Sequence, residues 1–139
     1  MKVICDRPFD SASGIEVINE KWSLDSEIAA LSGCDIGLMP LVDDEWNRGK
    51  CAFKMIFCML LGIPVVTSPV GVNKEIVRDG ENGYTASHDD EWCQKLCKLI
   101  DDGGLRAKMG SAGRVTIEKD FSLQRYVSVL AGTLAGVAK

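Results

Sequence analysis

Short apolar runs that alternate with helix-patterned segments predict an α/β domain with a mostly parallel sheet and helices on both faces. Three observations carry that expectation. The runs Lys2–Cys5, Asp35–Leu41 and Ile63–Thr67 are nearly continuous in apolar residues, as strands covered on both faces are. The segments between them place apolar residues at helical spacing. The runs end in loops built on Gly, Pro and charged residues.

In chain order, Lys2–Cys5 is a short strand, and Asp6–Gly14, with Pro8, two serines and Gly14, is a loop. Ile15–Asn19 reads as a second strand. Leu24, Ile28 and Leu31 mark a helix over Leu24–Leu31 that Gly33 stops. Asp35–Leu41 is a strand closed by Pro40 and an acidic loop. A helix over 50–61, apolar nearly all round, ends at Gly62 and runs through Pro64 into strand Ile63–Thr67. Asn73–Arg78 makes one or two helical turns before the turn formed by Asp79 through Gly83, and Tyr84–Ala86 adds a strand. Asp89 or Asp90 caps a helix carrying Trp92, Leu96 and Leu99, which Gly103 and Gly104 break. Leu105–Glu118 is a helix interrupted by Gly110 and Gly113. Ser122 caps a last helix with Leu123, Tyr126, Val127, Leu130 and Leu134 on one face. The pattern is Rossmann-like, and in such sheets ligands bind beyond the carboxyl ends of the strands. The loops Asp43–Lys54 and Ser68–Gly71 both fall there.

A chain of 139 residues fits a single domain over 1–139. A net charge of −4 argues against a general nucleic-acid binder, which shows a basic face. Met1–Asp10 lacks the apolar centre of a secretory signal, and the longest apolar run, Met55–Val66, is broken by Gly62 and Pro64. No transmembrane segment is expected, and a cytoplasmic location is. The six cysteines include no Cys-x-x-Cys and stand beside one histidine, His88, so neither a metal site nor a resident cofactor is expected. They read as small buried hydrophobes in a reducing compartment. Cys93 and Cys97 lie four apart on one helical face. His88 alone supports no nucleophilic triad.

The stretch Asn47–Val66 is the most informative. A glycine loop with Arg48 and Lys50 opens a helix carrying Lys54 in its first turns. Cations are disfavoured there, because the helix dipole is already positive at that end. An anion such as phosphate on the free backbone N–H groups would account for them. The alternative is that Asp43, Asp44 and Glu45 neutralise them as a solvated cluster.

Several ordered motifs carry a family resemblance. Asp35–Leu41, Gly62–Val66, Ser68–Val77 and Asp79–Gly83 resemble the C-terminal, donor-binding domain of GT-B fold retaining glycosyltransferases, the group 1 glycosyl transferases. Leu105–Arg114 and Asp120–Ser122 are similar to that family's terminal Arg-x-x-Met-Gly-x-x-Gly-Arg and Phe-Ser signatures. The resemblance spans roughly 20–128. It implies a UDP- or GDP-sugar as substrate, no metal, and hexosyl transfer with retention. It places the nucleobase beside Trp22 and Leu24, with Trp22 either stacked on the base or packed as a core tryptophan. It places the diphosphate on Gly49, Lys50, Cys51, Ala52 and Lys54.

The chain also departs from the family. The usual glutamate pair, one for the donor sugar and one for the ribose, would fall at Gly49 and Phe57. Asp44, Glu45 and Glu75 are then the candidate sugar contacts. The acceptor-binding N-terminal domain and the first strand–helix unit of the C-terminal domain are missing from the resemblance. Lys2–Cys5 must therefore pair directly with Asp35–Leu41 or leave an open seam. A homodimer, or a complementing N-terminal domain, is the expected partner. The alternative function is a degenerate, non-catalytic binding module. A receiver or flavodoxin-like domain is disfavoured, since Asp6 alone at the first strand's end is too little acid.

Overall fold

The computed structural model describes residues 1–11 and 14–137. The chain divides into two compact units, Met1–Cys34 and Asp35–Lys139. Positions 12 and 13 of the expected Asp6–Gly14 loop lie outside the described residues.

The first unit holds β1 (Lys2–Ile4), β2 (Ile18–Glu20) and α1 (Glu27–Ser32). β1 and β2 pair in parallel, with Lys2 opposite Ile18. The ladder continues through Ile18 N–H to Met1 O at 2.8 Å and Cys5 N–H to Glu20 O at 3.1 Å. Asn19 grips the intervening loop, accepting from Phe9 N–H at 2.8 Å and donating to Phe9 O at 2.9 Å. That pairing draws β2 three residues beyond the expected start at Ile15. α1 also starts later than expected. Ser23 O first accepts from the N–H groups of Ser26 and Glu27, so a turn occupies the place of the helix's first residues.

The second unit holds β3 (Gly37–Met39), α2 (Glu45–Arg48), α3 (Phe53–Leu60), β4 (Val65–Thr67), α4 (Asn73–Ile76), β5 (Tyr84–Thr85), α5 (Asp89–Asp101), α6 (Gly103–Asp120) and α7 (Leu123–Val137). β3, β4 and β5 form a parallel sheet in that order, with Gly37 opposite Val65 and Val66 opposite Tyr84. Among the described residues the strands thus make two ladders, and β1 has β2 as its ladder partner.

Side chains of neighbouring strand residues point to opposite faces, and β4 is fully buried, so each face of this sheet takes a helical layer. On one face α3 lies close: a Cβ at Gly37 would come within 2.9 Å of Cys58 Sγ and 3.2 Å of Val65 Cγ1. On the other, Val66 joins Ala86, Leu99 and Met109 in a core cluster flanked by Trp92, Leu96 and Leu105 from α5 and α6. Fully burying an aliphatic side chain of this size contributes about 1.5–3 kcal/mol.

α3 ends in a Schellman turn, with Ile63 N–H bonded to Cys58 O and Gly62 N–H to Met59 O, both at 2.9 Å. Gly62 sits at φ +77°, where a side chain is strained. α6 crosses this turn. Gly110 rests on the Gly62 carbonyl, and Gly113 faces Met59 and Asn82 O. These two glycines do not interrupt α6, contrary to expectation, but let it approach. α6 also begins two residues early, because Asp102 caps it by accepting from Leu105 N–H at 2.8 Å. The cap position of α5 is His88 rather than Asp89 or Asp90, and Glu91 reaches back to Ser87 N–H at 2.7 Å. That hydrogen bond is the first reason the Glu91 carboxyl titrates below its ordinary value. α7 buries none of its side chains.

The turn Asp79–Gly83 is held by Asn82, which is fully buried. Its amide donates to Ile76 O at 3.0 Å and Thr116 Oγ1 at 3.1 Å, and accepts from Arg78 N–H at 2.7 Å. Asn82→Ala is expected to cost about 2 kcal/mol, since it strands buried backbone groups. A urea melt checks this, and a change under 0.5 kcal/mol would contradict it. No described helix is long and apolar enough to cross a membrane.

Candidate functional site

Beyond the carboxyl end of β3 the chain makes the short helix α2, which was expected to be loop. Asp44 caps it, accepting from Asn47 N–H at 2.7 Å and Asn47 Nδ2 at 3.0 Å. Asp-x-x-Asn ahead of a Gly was the available signal. Arg48, in its last turn, donates to Asp43 at 2.7 Å. That hydrogen bond holds the Asp43 carboxyl below its ordinary range and raises the Arg48 guanidinium. One of the three cations is thus neutralised within its own loop. Lys50 and Lys54 are exposed and have no ion-pair partner among the described residues.

Gly49 closes α2 and Lys50 N–H bonds Asn47 O at 3.2 Å. From there the backbone N–H groups of Cys51, Ala52, Phe53, Lys54 and Met55 have no hydrogen-bond partner among the described residues. Ala52, buried at the N-cap of α3, lies at φ +57°, ψ +27°. A left-handed alanine costs roughly 1–2 kcal/mol, so surrounding packing must hold it there. A left-handed residue beside right-handed ones turns successive N–H groups toward one side, the arrangement that binds anions.

The loop after β4 is tied to the end of β3 and to α2. Ser68 Oγ accepts from Leu41 N–H at 2.9 Å, and Ser68 N–H bonds Met39 O at 3.1 Å. Thr67 Oγ1 donates to Met39 O at 3.2 Å, while buried Asn73 donates to Thr67 Oγ1 at 2.7 Å and Ser68 O at 3.3 Å. Gly71, at φ +54°, meets the Arg48 backbone, and a Cβ there would stand 2.6 Å from Arg48 O. Two loops that the sequence sets some twenty residues apart are thereby fixed on each other.

The remaining expected residues are distributed as follows. Phe57 stacks obliquely on Phe53, ring centroids 4.6 Å apart at 47°, and no acidic side chain stands on α3. Asp44 is committed to its cap, whereas Glu45 and Glu75 are exposed in the first turns of α2 and α4. Trp22 and Leu24 belong to the first unit, and both are exposed, so Trp22 is not a core tryptophan. A cavity of about 20 Å³ lined by Lys54, Cys58, Gly37 and Val65 has room for roughly one water molecule.

A family model described as glycosyl transferases group 1 matches residues 10–102. The chain belongs to the group 1 glycosyl transferase family. Spore coat protein SA of Bacillus subtilis (strain 168) is 32% identical over 76 residues, covering 52% of this chain and 20% of that protein. Among solved structures, the C-terminal domain of a group 1 glycosyl transferase, LpcC of Francisella tularensis, is 23% identical with a TM-score of 0.63, over 77% of this chain and 54% of that one. Anabaena Alr3699/HepE, crystallised in complex with UDP, is 21% identical with a TM-score of 0.69, over 86% of this chain and 32% of that one. Sucrose-phosphate synthase of Thermosynechococcus elongatus is 19% identical with a TM-score of 0.70, over 88% and 30%. The fold of this group 1 glycosyl transferase chain is the GT-B C-terminal, Rossmann-like domain, and it spans about a fifth of the curated relative's length. The terminal signatures at 105–122 lie beyond the matched segment. Here they are packing devices: Arg106 donates to the carbonyls of Leu99 and Ile100 at 2.7 and 3.0 Å, and Gly110 and Gly113 seat α6.

Proposed function

We propose that this chain is the nucleotide-diphosphate-sugar-binding half of a retaining hexosyltransferase. The observation that supports it most is the run of unpartnered N–H groups from Cys51 to Met55 behind a left-handed Ala52, with Lys50 and Lys54 uncommitted beside it. A diphosphate fits that combination of donors and charge. Gly49 through Lys54 would hold the leaving diphosphate, and the two lysines would stabilise the charge that develops on it. HepE was crystallised with UDP and with UDP-glucose, and its fold is shared here, which supports a uridine nucleotide as the carrier, with guanosine the alternative that the family resemblance implies. Trp22 and Leu24 are assigned to the base, and Glu45 and Glu75, with Asp44 limited by its cap, to the sugar.

Acceptor binding and turnover are assigned to a complementing N-terminal domain, with a second copy of this chain as the other partner of the open strand edge. The isolated chain binds donor without transferring the sugar. Its six free cysteines, with no disulfide, favour a reducing cytoplasmic setting.

Calorimetric titration with UDP, GDP and their sugar conjugates tests the reading. Nucleotide-selective binding is expected, weakened about tenfold in Lys54→Ala by the loss of one charge-assisted contact. Absence of binding at millimolar nucleotide would overturn it. That outcome would favour a non-catalytic interaction module, to which Gly49 and Phe57, standing where carboxylates are usual, already lend weight.

A further inference from the structure

Three of the six cysteines are exposed, which the sequence reading did not foresee. Cys58 alone is buried, Cys5 and Cys34 are half-buried, and Cys51, Cys93 and Cys97 are exposed. Two of the exposed thiols stand together. Cys93 and Cys97 lie one turn apart on the solvent face of α5, while Leu96 and Leu99 of the same helix turn into the core. Residues at this spacing have Cβ atoms about 5–6 Å apart. The Cys93 sulfur, through its charge and then a hydrogen bond, pushes the Cys97 thiol above its ordinary value, and Asp101 adds to the effect. The two sulfurs therefore sense each other directly.

From this geometry we propose that Cys93 and Cys97 form a bidentate dithiol site for a soft, thiophilic ion of low coordination number, of the kind represented by Cu(I) or trivalent arsenic. The pair suits chelation better than oxidation. A disulfide needs Cβ atoms about 3.8 Å apart, which a regular helix does not offer at this spacing. An interposed ion spans the larger gap without unwinding α5. The coordination preference follows from the surroundings. Among the described residues no cluster of three or more His, Cys, Asp or Glu can hold a metal. A closed tetrahedral zinc site needs four ligands, whereas thiolates select Cu(I) and similar soft ions. The ion loads from solvent, since neither sulfur is covered, and it lies outside the donor loops.

Phenylarsine oxide is the probe. It takes both thiols at once: two As–S bonds form, the As–O bond breaks, and both thiol protons leave with the oxygen as water, arsenic remaining trivalent. Intact-mass analysis should show one adduct per chain that survives millimolar monothiol and blocks alkylation of Cys93 and Cys97 together. Cys93→Ser or Cys97→Ser should lower its stability about 100-fold, the usual gain from making a second attachment intramolecular. A register control, Cys97→Ser with Lys98→Cys, keeps the same number of exposed thiols but sets the pair about 140° apart around the helix. It should behave like the single-thiol variants. An adduct of equal stability in either serine variant or in the register control would overturn the proposal, as would failure of the unaltered chain to hold the arsenical. Circular dichroism on each variant confirms that α5 remains folded.

Discussion

Gly110→Ala is expected to destabilise the chain by about 4 kcal/mol, at the upper end for overpacking because backbone must move. A methyl group at this position would overlap the Gly62 carbonyl oxygen and come within 2.8 Å of the Gly62 carbonyl carbon. Neither atom can yield alone. Gly62 is the left-handed residue of the turn that closes α3, and its neighbours Met59 and Cys58 accept the hydrogen bonds that fix it. Moving α6 away instead would lift Met109 from the cluster with Val66 and Leu99. For a domain of this size 1 kcal/mol shifts Tm by roughly 3–5 °C, so a fall of about 15 °C is expected. Ser111→Ala, on the exposed side of α6, should stay within about 0.5 kcal/mol of the unaltered chain. A Gly110→Ala loss below about 1 kcal/mol would mean that α6 and the α3 turn are not in the contact described.

The same contact shows what the sequence could and could not reveal. Apolar periodicity found every strand and every long helix, because burial imposes it on the residues themselves. The sheet runs at Gly37–Met39 and Val65–Thr67 fall inside the expected strands. Errors gathered where the local hydrogen-bond partner decides. β2 moved along the chain because Asn19 pins the loop before it, and α1 shortened because Ser23 makes a turn first. Exposed cysteines were misjudged for a different reason. Cys packs as a small hydrophobe in most cores, but on α5 the buried stripe is already filled by Leu96 and Leu99, leaving Cys93 and Cys97 on the other side.

The candidate site was legible in its charges but not in its backbone. A glycine loop with cations ahead of an apolar helix pointed to an anion. The acidic run at 43–45 already offered the pairing that Arg48 makes with Asp43, but nothing in the residue types indicated that a non-glycine residue would take the left-handed cap position. Ala52 holds that conformation because it is buried and because the preceding loop is anchored twice, by its own α2 and by the loop after β4. The ladder from Met39 through Thr67 and Ser68 to Asn73 is the rigid part of that anchor. The free N–H groups are therefore presented by a preorganised segment, and ordering it adds little cost to binding.

Gly71→Ala tests that coupling, and it should affect stability and nucleotide binding together. Gly71 lies at φ +54°, so an alanine there begins with roughly 1 kcal/mol of backbone strain. Its Cβ would also stand 2.6 Å from Arg48 O and 3.1 Å from Arg48 Cα, so one loop has to withdraw from the other. Overpacking of this kind adds about 1–3 kcal/mol, giving a total near 3 kcal/mol. Withdrawal of the 45–49 segment would release the support behind Ala52, and the N–H groups from Cys51 to Met55 would lose their fixed direction. Affinity for UDP should fall at least about tenfold, and unlike Lys54→Ala the loss should persist at high salt, because it comes from geometry rather than from an exposed charge. Val42→Ala, which removes only exposed side-chain atoms in the same stretch, should leave both quantities unchanged. A stable Gly71→Ala chain with undiminished UDP binding would show that the phosphate is held elsewhere, and would separate the two loops that the structure joins.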